Sequence, residues 1–316
     1  MDLYDVIIIG AGPAGLTAAI YTSRSRLKTL LIESFTVPGQ AVVTSDIENY
    51  PGFPEGLNGF ELIDKFKKQA GKFGAMFKVG DVKEIKKRKL EDEDVWEINL
   101  NEESILGSSV ILAMGAHPKK LDVPGEEALI GKGVSYCAVC DAAFFKNKKI
   151  AVIGGGNTAI EEALFLTKFA DKVTVIHRRN KLRAAEILQE RAFADKKIEF
   201  IWDSIVESIQ GQEKIGSLRL KNVKTNEENT FDCDGVFVFV GYEPNTGFIK
   251  DTIRLDENGY VIADENMSTS KPGIFACGDV RKKLLRQIVT ACGDGAIAAV
   301  SARMYLQHLK EGLPKK

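Results

Sequence analysis

Short apolar runs recur along the chain, separated by glycine turns and by longer segments rich in alanine and leucine. The runs at 6–9 and 150–153 are too short to be helices. Their continuous hydrophobicity is typical of parallel strands that are buried on both faces. Each run is followed by a glycine turn, a helical segment and a second apolar run. We therefore predict a strand, a turn, a helix and a second strand at both places.

These two places are copies of one pattern. Residues 5–33 and residues 149–177 align without a gap from the first strand to the end of the second. Such a repeat indicates one supersecondary unit that is used twice. Two parallel strands joined through a helix form a βαβ unit. The predicted fold class is α/β, with two Rossmann-like dinucleotide-binding domains.

Two further apolar runs indicate where the chain passes between these domains. One run ends with Gly115 and Pro118, and the other ends with Gly241 and Pro244. Glycine and proline after a buried strand mark the exit of the chain from a sheet. If both exits are crossings, the second domain is inserted into the first. The predicted domains are then 1–117 with 246–316, and 118–245.

The composition narrows the function classes. The 316 residues include 43 Lys and Arg against 44 Asp and Glu, and the net charge of −1 does not suit a protein that binds nucleic acid through its phosphates. The length fits about two domains, each with a core of its own. Five scattered cysteines favour a reducing compartment over a disulfide framework. The first apolar run has no basic segment before it and is interrupted by glycines, so we expect no signal peptide, no membrane span and a cytoplasmic location.

The first repeated unit carries a dinucleotide-binding pattern. Gly10, Gly12 and Gly15 fit the spacing G-x-G-x-x-G, with Pro13 and Ala14 between the last two glycines. Glycines at these positions allow a tight turn and a close approach of the backbone to a pyrophosphate. The free N–H groups at the helix start then face the phosphates. At the end of the next strand the carboxylate of Glu33 can accept hydrogen bonds from a ribose.

The second unit repeats the turn with a different ending. Gly154, Gly156 and Ala159 occupy the same frame, but the second strand ends in His177, Arg178 and Arg179 rather than in an acid. Guanidinium groups bind a 2′-phosphate that a carboxylate would repel, so NADP is favoured over NAD. Arg183 is close enough in sequence to join them. The alternative is a solvated basic patch at a helix start.

One unit thus suits a plain ribose and the other a phosphorylated one. Two dinucleotide sites in one chain indicate electron transfer between two cofactors. The pattern favours FAD in the first unit and NADPH in the second.

A pair of cysteines lies just before the second unit. Cys137 and Cys140 have the C-x-x-C spacing of a redox-active disulfide. A zinc site needs about four ligands, and the other cysteines and the three histidines do not cluster. Zinc binding and two inert cysteines remain as alternatives. Asp141, next to the pair, is either a proton donor or a helix N-cap. We interpret Cys233, Cys277 and Cys292 as packing residues.

In their order along nearly the whole chain, these motifs resemble the low-molecular-weight thioredoxin reductases of bacteria and archaea. The resemblance also rests on the segments IENYPG, GGGNTAIEEA, HRRNKLRA and FACGDV, and on RQIVTACGDG near the end of the chain. The chain departs from the family at Pro38 and Met114, where glycine and threonine are usual.

The resemblance implies roles for matching residues. Cys140 would face the flavin, Cys137 would attack the partner disulfide, and Asp141 would be the acid. Asp279 would accept a hydrogen bond from the ribityl chain, and Gly278 would let the backbone approach the flavin. The positions that would line the isoalloxazine are Gln40, Asn49, Arg286, Gln287 and Ile288. His177, Arg178, Arg179 and Arg183 would hold the 2′-phosphate. The other positions assigned to cofactor binding are Gly39, Val82, Ala113, Gly115, Asn157 and Thr158.

The resulting hypothesis is a thioredoxin-disulfide reductase. A hydride passes from NADPH to FAD, and two electrons then pass to the Cys137–Cys140 disulfide and on to thioredoxin. The inserted domain would rotate about the two crossings to present the nicotinamide and the disulfide in turn. The resemblance implies a homodimer, and we expect no nucleic acid or membrane partner. The alternatives are reduction of another redoxin, another electron donor such as ferredoxin, a small-molecule dithiol oxidase, and a redox or nucleotide sensor.

Overall fold

The computed structural model describes residues 3–311, except 35–38, 43, 45, 46, 48, 92 and 102, and describes only the backbone of 139 and 140. Within these residues the chain forms two compact units, Met1–His117 with Glu243–Lys316, and Pro118–Tyr242. The second crossing thus falls three residues before the predicted end of the inserted domain. No described helix combines the length and the hydrophobicity needed to cross a bilayer.

The first unit is built on one large sheet. In chain order its first elements are β1 (Leu3–Ile9), α1 (Pro13–Arg24), β2 (Thr29–Glu33), α2 (Gly59–Lys72), β3 (Met76–Val79), β4 (Glu84–Leu90), β5 (Glu93–Asn99), β6 (Ser104–Leu112) and β7 (Ala116–Pro118).

The second unit follows in the chain. It contains β8 (Val134–Ser135), α3 (Ala138–Asp141), β9 (Lys149–Ile153), α4 (Asn157–Leu166), β10 (Lys172–Ile176), α5 (Glu186–Ala194), β11 (Ile198–Ile201), β12 (Ser204–Gly211), β13 (Ile215–Asn222), β14 (Glu228–Asp232) and β15 (Gly235–Val238). After β16 (Tyr242–Pro244) the chain completes the first unit with β17 (Ile274–Ala276) and α6 (Ile288–Lys310).

The strand order in the first sheet is β3-β2-β1-β6-β5-β4, and β17 pairs with the second half of β6. The pairings β3–β2, β2–β1, β1–β6 and β6–β17 are parallel, whereas β5 is antiparallel to both β6 and β4. Ile9 is in register with Ile32 and with Leu112. The ends of β1, β2 and β6 therefore meet at one edge of the sheet, where ligands bind in open α/β sheets.

The second sheet has the parallel order β11-β10-β9-β15-β8. In its register Ile153 lies opposite both Ile176 and Val238. The strands β12, β13 and β14 form a separate antiparallel sheet. Both predicted βαβ units are present, and the predicted α/β class with two Rossmann-like domains is confirmed.

The core of the first unit depends on close packing between α1 and α6. Small residues line both helices, and Ala14, Ala18 and Ala298 are fully or almost fully buried. The two helices approach closely at Gly295, where a Cβ atom would lie 2.2 Å from the carbonyl oxygen of Ala14. Because a packed interior cannot absorb such an overlap without shifting a helix, this position accepts only glycine.

We expect Gly295→Ala to lower the free energy of unfolding by about 1–3 kcal/mol through this overlap. The matched control is Gly293→Ala on the same helix, where an added Cβ would meet no atom within 4 Å. There the better helix propensity of alanine is expected to raise stability by up to about 1 kcal/mol. Urea unfolding followed by circular dichroism measures both variants, and equal stabilities would contradict the packing argument.

Candidate functional site

The first glycine turn is shaped by the strands beside it. Gly10 has a φ of +109°, and a Cβ on it would lie 2.4 Å from the carbonyl oxygen of Ala113, directly after β6. A Cβ on Gly15 would lie 1.9 Å from the oxygen of Gly10. Gly12 is different, because a Cβ there would meet no atom within 4 Å. Gly10 and Gly15 therefore allow the turn to pack closely against neighbouring backbone. Gly12 leaves open space above the start of α1.

The start of α1 suits an anion. Gly12 is the N-cap residue and provides no side-chain acceptor, and Pro13 follows at the first helical position. Proline is tolerated there because the N–H that it lacks would have no partner inside the helix. Ala14, the next residue, is the first buried residue of the helix. The remaining N–H groups of the first turn point away from the helix. They fit the predicted pyrophosphate.

Glu33 ends β2 at the same edge of the sheet. Its Oε2 accepts a hydrogen bond of 2.6 Å from the Nζ of Lys67 on α2. The carboxylate keeps a second oxygen for a hydroxyl donor. Sequence reasoning did not find Lys67, and no local pattern distinguishes it from the other lysines of α2. Val82 and Met114 are partly buried and pack against the hydrophobic core of the first unit.

The predicted flavin-lining residues come from distant parts of the chain. The Nδ2 of Asn49 donates to the Oε1 of Gln287 at 2.9 Å. Gln287 also forms a capping box with Thr290 at the start of α6, and Ile288 packs against the core. Gln40 donates from Nε2 to the carbonyl oxygen of Ala116 at 3.4 Å. Gly39 is half-buried, Gly115 has a φ of +64°, and Pro38 lies outside the described residues.

One carboxylate oxygen of Asp279 is buried without a partner among the described residues. Its Oδ1 is buried and forms no hydrogen bond within the described structure. Burial raises the pKa of this carboxyl group, while Lys283 and Arg286 act in the opposite direction. Because a buried acceptor is costly when it is unpaired, this atom fits a hydroxyl donor of a bound ligand. Arg286 lies 4.0 Å above the ring of Tyr260.

Asp294 holds the loop that contains Asp279. Its Oδ2 accepts from the backbone N–H of Gly278 at 3.1 Å and from the Nζ of Lys283 at 2.8 Å. Its Oδ1 accepts from Arg281 at 3.3 Å. Sequence reasoning missed this residue. A lone acid in the otherwise apolar first half of α6 was the available signal.

The second glycine turn has the same construction. Gly154 has a φ of +151°, and a Cβ on it would lie 2.4 Å from the carbonyl oxygen of Phe239, directly after β15. A Cβ on Gly156 would meet no atom within 4 Å. Asn157 and Thr158 begin α4 at the open side of the turn. The second unit thus offers the same kind of space for a phosphate as the first.

The structure separates the four predicted 2′-phosphate residues. Arg178, Arg179 and Arg183 are exposed, whereas His177 is only 4% exposed. Burial lowers the pKa of His177, and the three arginines lower it further. The arginine side chains are therefore accessible cations, and the histidine is a buried neutral ring.

Cys137 lies at the start of the redox segment. It is half-buried and takes part in a disulfide, directly before the single-turn helix α3. The hydroxyl of Ser135 accepts from the N–H of Cys137 at 3.0 Å and donates to its carbonyl oxygen at 3.1 Å. Asp141 ends α3 and is half-buried. The side chain of Cys140 lies outside the described part, so its pairing with Cys137 stays a prediction.

The other three cysteines are free. Burial raises the pKa of Cys233 to about 12 and raises that of Cys277 further. Burial also raises the pKa of Cys292, whose sulfur lies 3.9 Å from the hydroxyl of Tyr50. These thiols stay protonated at neutral pH and are poor nucleophiles. Within the described residues, no group of three or more His, Cys, Asp and Glu side chains is placed to hold a metal ion.

A buried carboxyl group lies on α4. The Oε2 of Glu162 is buried and has no hydrogen-bond partner in the described structure. Burial and the neighbouring Glu161 raise the pKa of Glu162 from its ordinary 4.5 to about 7. The protonated form is therefore favoured in the fold. Its contribution to stability is complete below pH 4.5 and is lost as the pH rises through about 7.

We therefore expect Glu162→Gln, which cannot ionise, to lose less stability than the unmodified protein between pH 5 and pH 8. The predicted gain for the variant over this interval is about 1–3 kcal/mol. Urea unfolding at both pH values measures it. Glu190→Gln, on the exposed face of α5, is the control and should show no such gain. An equal pH dependence in all three proteins would show that Glu162 ionises normally.

Comparison with known proteins agrees with this arrangement. A family model described as pyridine nucleotide-disulphide oxidoreductase matches residues 4–295. The thioredoxin reductase of Listeria innocua is 49% identical over 312 residues, covering 98% of this chain and 96% of that protein. The thioredoxin reductase of Bacillus subtilis is 48% identical over 312 residues, covering 98% of this chain and 97% of that protein.

Solved structures show the same likeness. The thioredoxin reductase of Lactococcus lactis has a TM-score of 0.92 and 49% identity, and the match covers 96% of this chain and 99% of that one. The thioredoxin reductase of T. acidophilum has a TM-score of 0.90 and 34% identity, and the match covers 98% of this chain and 100% of that one. The resemblance inferred from the motifs is confirmed. The chain belongs to the pyridine nucleotide-disulphide oxidoreductases and, within them, to the thioredoxin reductase family.

Proposed function

We propose that this protein is a thioredoxin-disulfide reductase that uses NADPH and FAD. The observation that carries the proposal is a disulfide at Cys137 in a chain with two glycine turns of different specificity. One turn is accompanied by the carboxylate of Glu33, and the other by three exposed arginines. The names of the relatives support thioredoxin as the partner.

The first unit offers the groups that FAD requires. The space above Gly12 and the uncapped start of α1 suit the pyrophosphate. Glu33 suits the ribose of the adenosine half, and the unpaired Oδ1 of Asp279 suits a ribityl hydroxyl. The hydrogen-bonded pair Asn49 and Gln287 offers polar groups to the isoalloxazine. When bound, FAD accepts a hydride from NADPH and passes two electrons to a disulfide.

The second unit offers a site that distinguishes NADPH from NADH. The space above Gly156 suits the pyrophosphate. Three exposed arginines close to it can bind a 2′-phosphate through paired, charge-assisted hydrogen bonds. An acid at the position of His177, such as Glu33 in the first unit, would repel that phosphate. NADPH is therefore the expected electron donor.

The redox step uses the cysteine pair of the second unit. Reduction breaks the S–S bond with two electrons and two protons and yields two thiols. As a thiolate, Cys137 then attacks the disulfide of the partner and forms a mixed disulfide. Cys140 resolves the mixed disulfide, which restores the internal bond and releases the reduced partner. Asp141, the last residue of α3, is the proposed proton donor and acceptor for these thiols.

Four further features belong to the proposal and are supported by the composition, the sequence pattern and the resemblance. They are a homodimer, a cytoplasmic location, the absence of nucleic acid and membrane partners, and a rotation of the inserted domain during turnover.

The proposal predicts steady NADPH-dependent reduction of a thioredoxin, followed with a disulfide dye. Cys137→Ser is expected to reduce this turnover by at least about a thousandfold, because the attacking sulfur is lost. The variant should still take up FAD and show bleaching of the flavin absorbance by NADPH. Cys233→Ala is the control, since its thiol is buried and protonated, and it should keep full turnover.

Other outcomes would change the assignment. Full turnover by Cys137→Ser would exclude the disulfide route. A single reduction of the unmodified protein without turnover on any redoxin would indicate a sensor. Reduction by ferredoxin but not by NADPH would overturn the choice of donor.

A further inference from the structure

The ring of His177 lies directly beneath the second glycine turn. A Cβ on Gly155 would lie 2.5 Å from the Cε1 and 2.6 Å from the Nδ1 of this ring. Gly155 does not have a positive φ, so its backbone conformation does not require glycine. The ring of His177 occupies the space that a side chain at this position would need, so any larger residue would have to displace the ring. Gly155 in the turn and His177 directly after β10 are therefore complementary in shape.

The repeat within the chain provides an internal comparison. Ala11 occupies the position of Gly155 in the first unit, and Glu33 occupies the position of His177. In the first unit the side chain of Ala11 packs against the hydrophobic core. Glu33, the last residue of β2, accepts a hydrogen bond from Lys67. In the second unit Gly155 has no Cβ where the first unit has that of Ala11, and His177 has an imidazole ring where the first unit has the carboxylate of Glu33. The two differences therefore occur together.

Two hydrogen bonds join the turn to the arginine loop, residues 178–185. The backbone N–H of Arg183 donates to the carbonyl oxygen of Gly155 at 2.7 Å. The backbone N–H of Ala185 donates to the Oδ1 of Asn157 at 2.8 Å. The ring of His177 adds a third contact at the beginning of this loop. The turn and the loop are thus fastened to each other at both ends of the loop.

The ring itself is poorly placed to bind a phosphate. Its Nε2 is buried and has no hydrogen-bond partner among the described residues, and the whole side chain is only 4% exposed, so little of the ring is open to a ligand. The edge of the ring packs near Trp202, with 6.4 Å between the ring centroids. Burial and the nearby arginines lower the pKa of the imidazole, while a hydrogen bond with the backbone of Lys181 acts in the opposite direction, so the neutral form is favoured. A neutral, covered ring cannot supply the charge that a 2′-phosphate requires.

We propose that His177 is a positioning residue and not a phosphate ligand. Its ring fixes the pyrophosphate turn relative to the arginine loop, so that a dinucleotide with a 2′-phosphate meets both at the correct separation. This inference rests on the proposed NADPH site. It assigns the selection of NADPH over NADH partly to the rigidity of the turn and loop, in addition to the charge of the arginines.

Three ligands separate the positioning role from a ligand role. NADP⁺ spans the turn and the loop, NAD⁺ lacks the 2′-phosphate, and 2′-AMP lacks the pyrophosphate. Isothermal titration of the flavin-loaded full chain measures the Kd of each. For His177→Ala we expect NADP⁺ to bind about tenfold more weakly, and NAD⁺ and 2′-AMP to change by less than about twofold.

The other results would overturn the inference in distinct ways. Equal weakening of NADP⁺ and 2′-AMP would identify His177 as a phosphate ligand. Equal weakening of all three ligands, or no weakening of any, would show that the contact does not couple the turn to the loop. If the unmodified protein bound no NADP⁺, the proposed function itself would fail.

A second variant tests the contact from the opposite side and does not depend on the folding of His177→Ala. Gly155→Ala places a methyl group where the ring lies, so we expect the same selective loss of NADP⁺ affinity. In the double variant with His177→Ala the methyl group has room, and the added substitution should cause no further loss. Additive losses would show that the two residues act independently.

Discussion

The whole arrangement depends on two places where a backbone passes another backbone with no room for a side chain. Gly10 faces the carbonyl of Ala113, and Gly154 faces the carbonyl of Phe239. In each unit the glycine follows the first strand and the carbonyl follows the parallel neighbour, since Ile9 pairs with Leu112 and Ile153 with Val238. The turn can therefore form only where these two strands end in register. The open start of the next helix is a consequence of the same contact.

Much of this could be predicted from the sequence, because the signals are local. A short apolar run, a glycine turn and an alanine-rich segment specify a βαβ unit wherever they occur together. The repeat showed that one unit is used twice, and the change from an acid to HRR at its end indicated two different ribose environments. These features need no knowledge of what packs against them.

The remaining features depend on contacts between distant segments. Asn49 and Gln287 are separated by 238 residues, and neither has a neighbour in sequence that indicates the other. The loop of Asp279 is held by Asp294 from α6, which only the tertiary fold brings there. The sequence pattern groups His177 with the three arginines because it shows which positions are neighbours and not which side chains are buried. Its position predicts the end of a strand, but its burial depends on a glycine in another loop.

Burial also decides which of the candidate groups carry charge and which do chemistry. Within the second unit burial lowers the pKa of His177 and raises the pKa of Cys233 to about 12. Both groups therefore favour their neutral forms, and both side chains are nearly inaccessible to solvent. The three arginines and Cys137 retain access to solvent. A phosphate and a protein disulfide must both arrive from solvent, so only the accessible members of each set can meet them. In the second unit the buried His177 directly precedes the exposed Arg178, so neighbouring positions of one motif differ in whether a ligand can reach them.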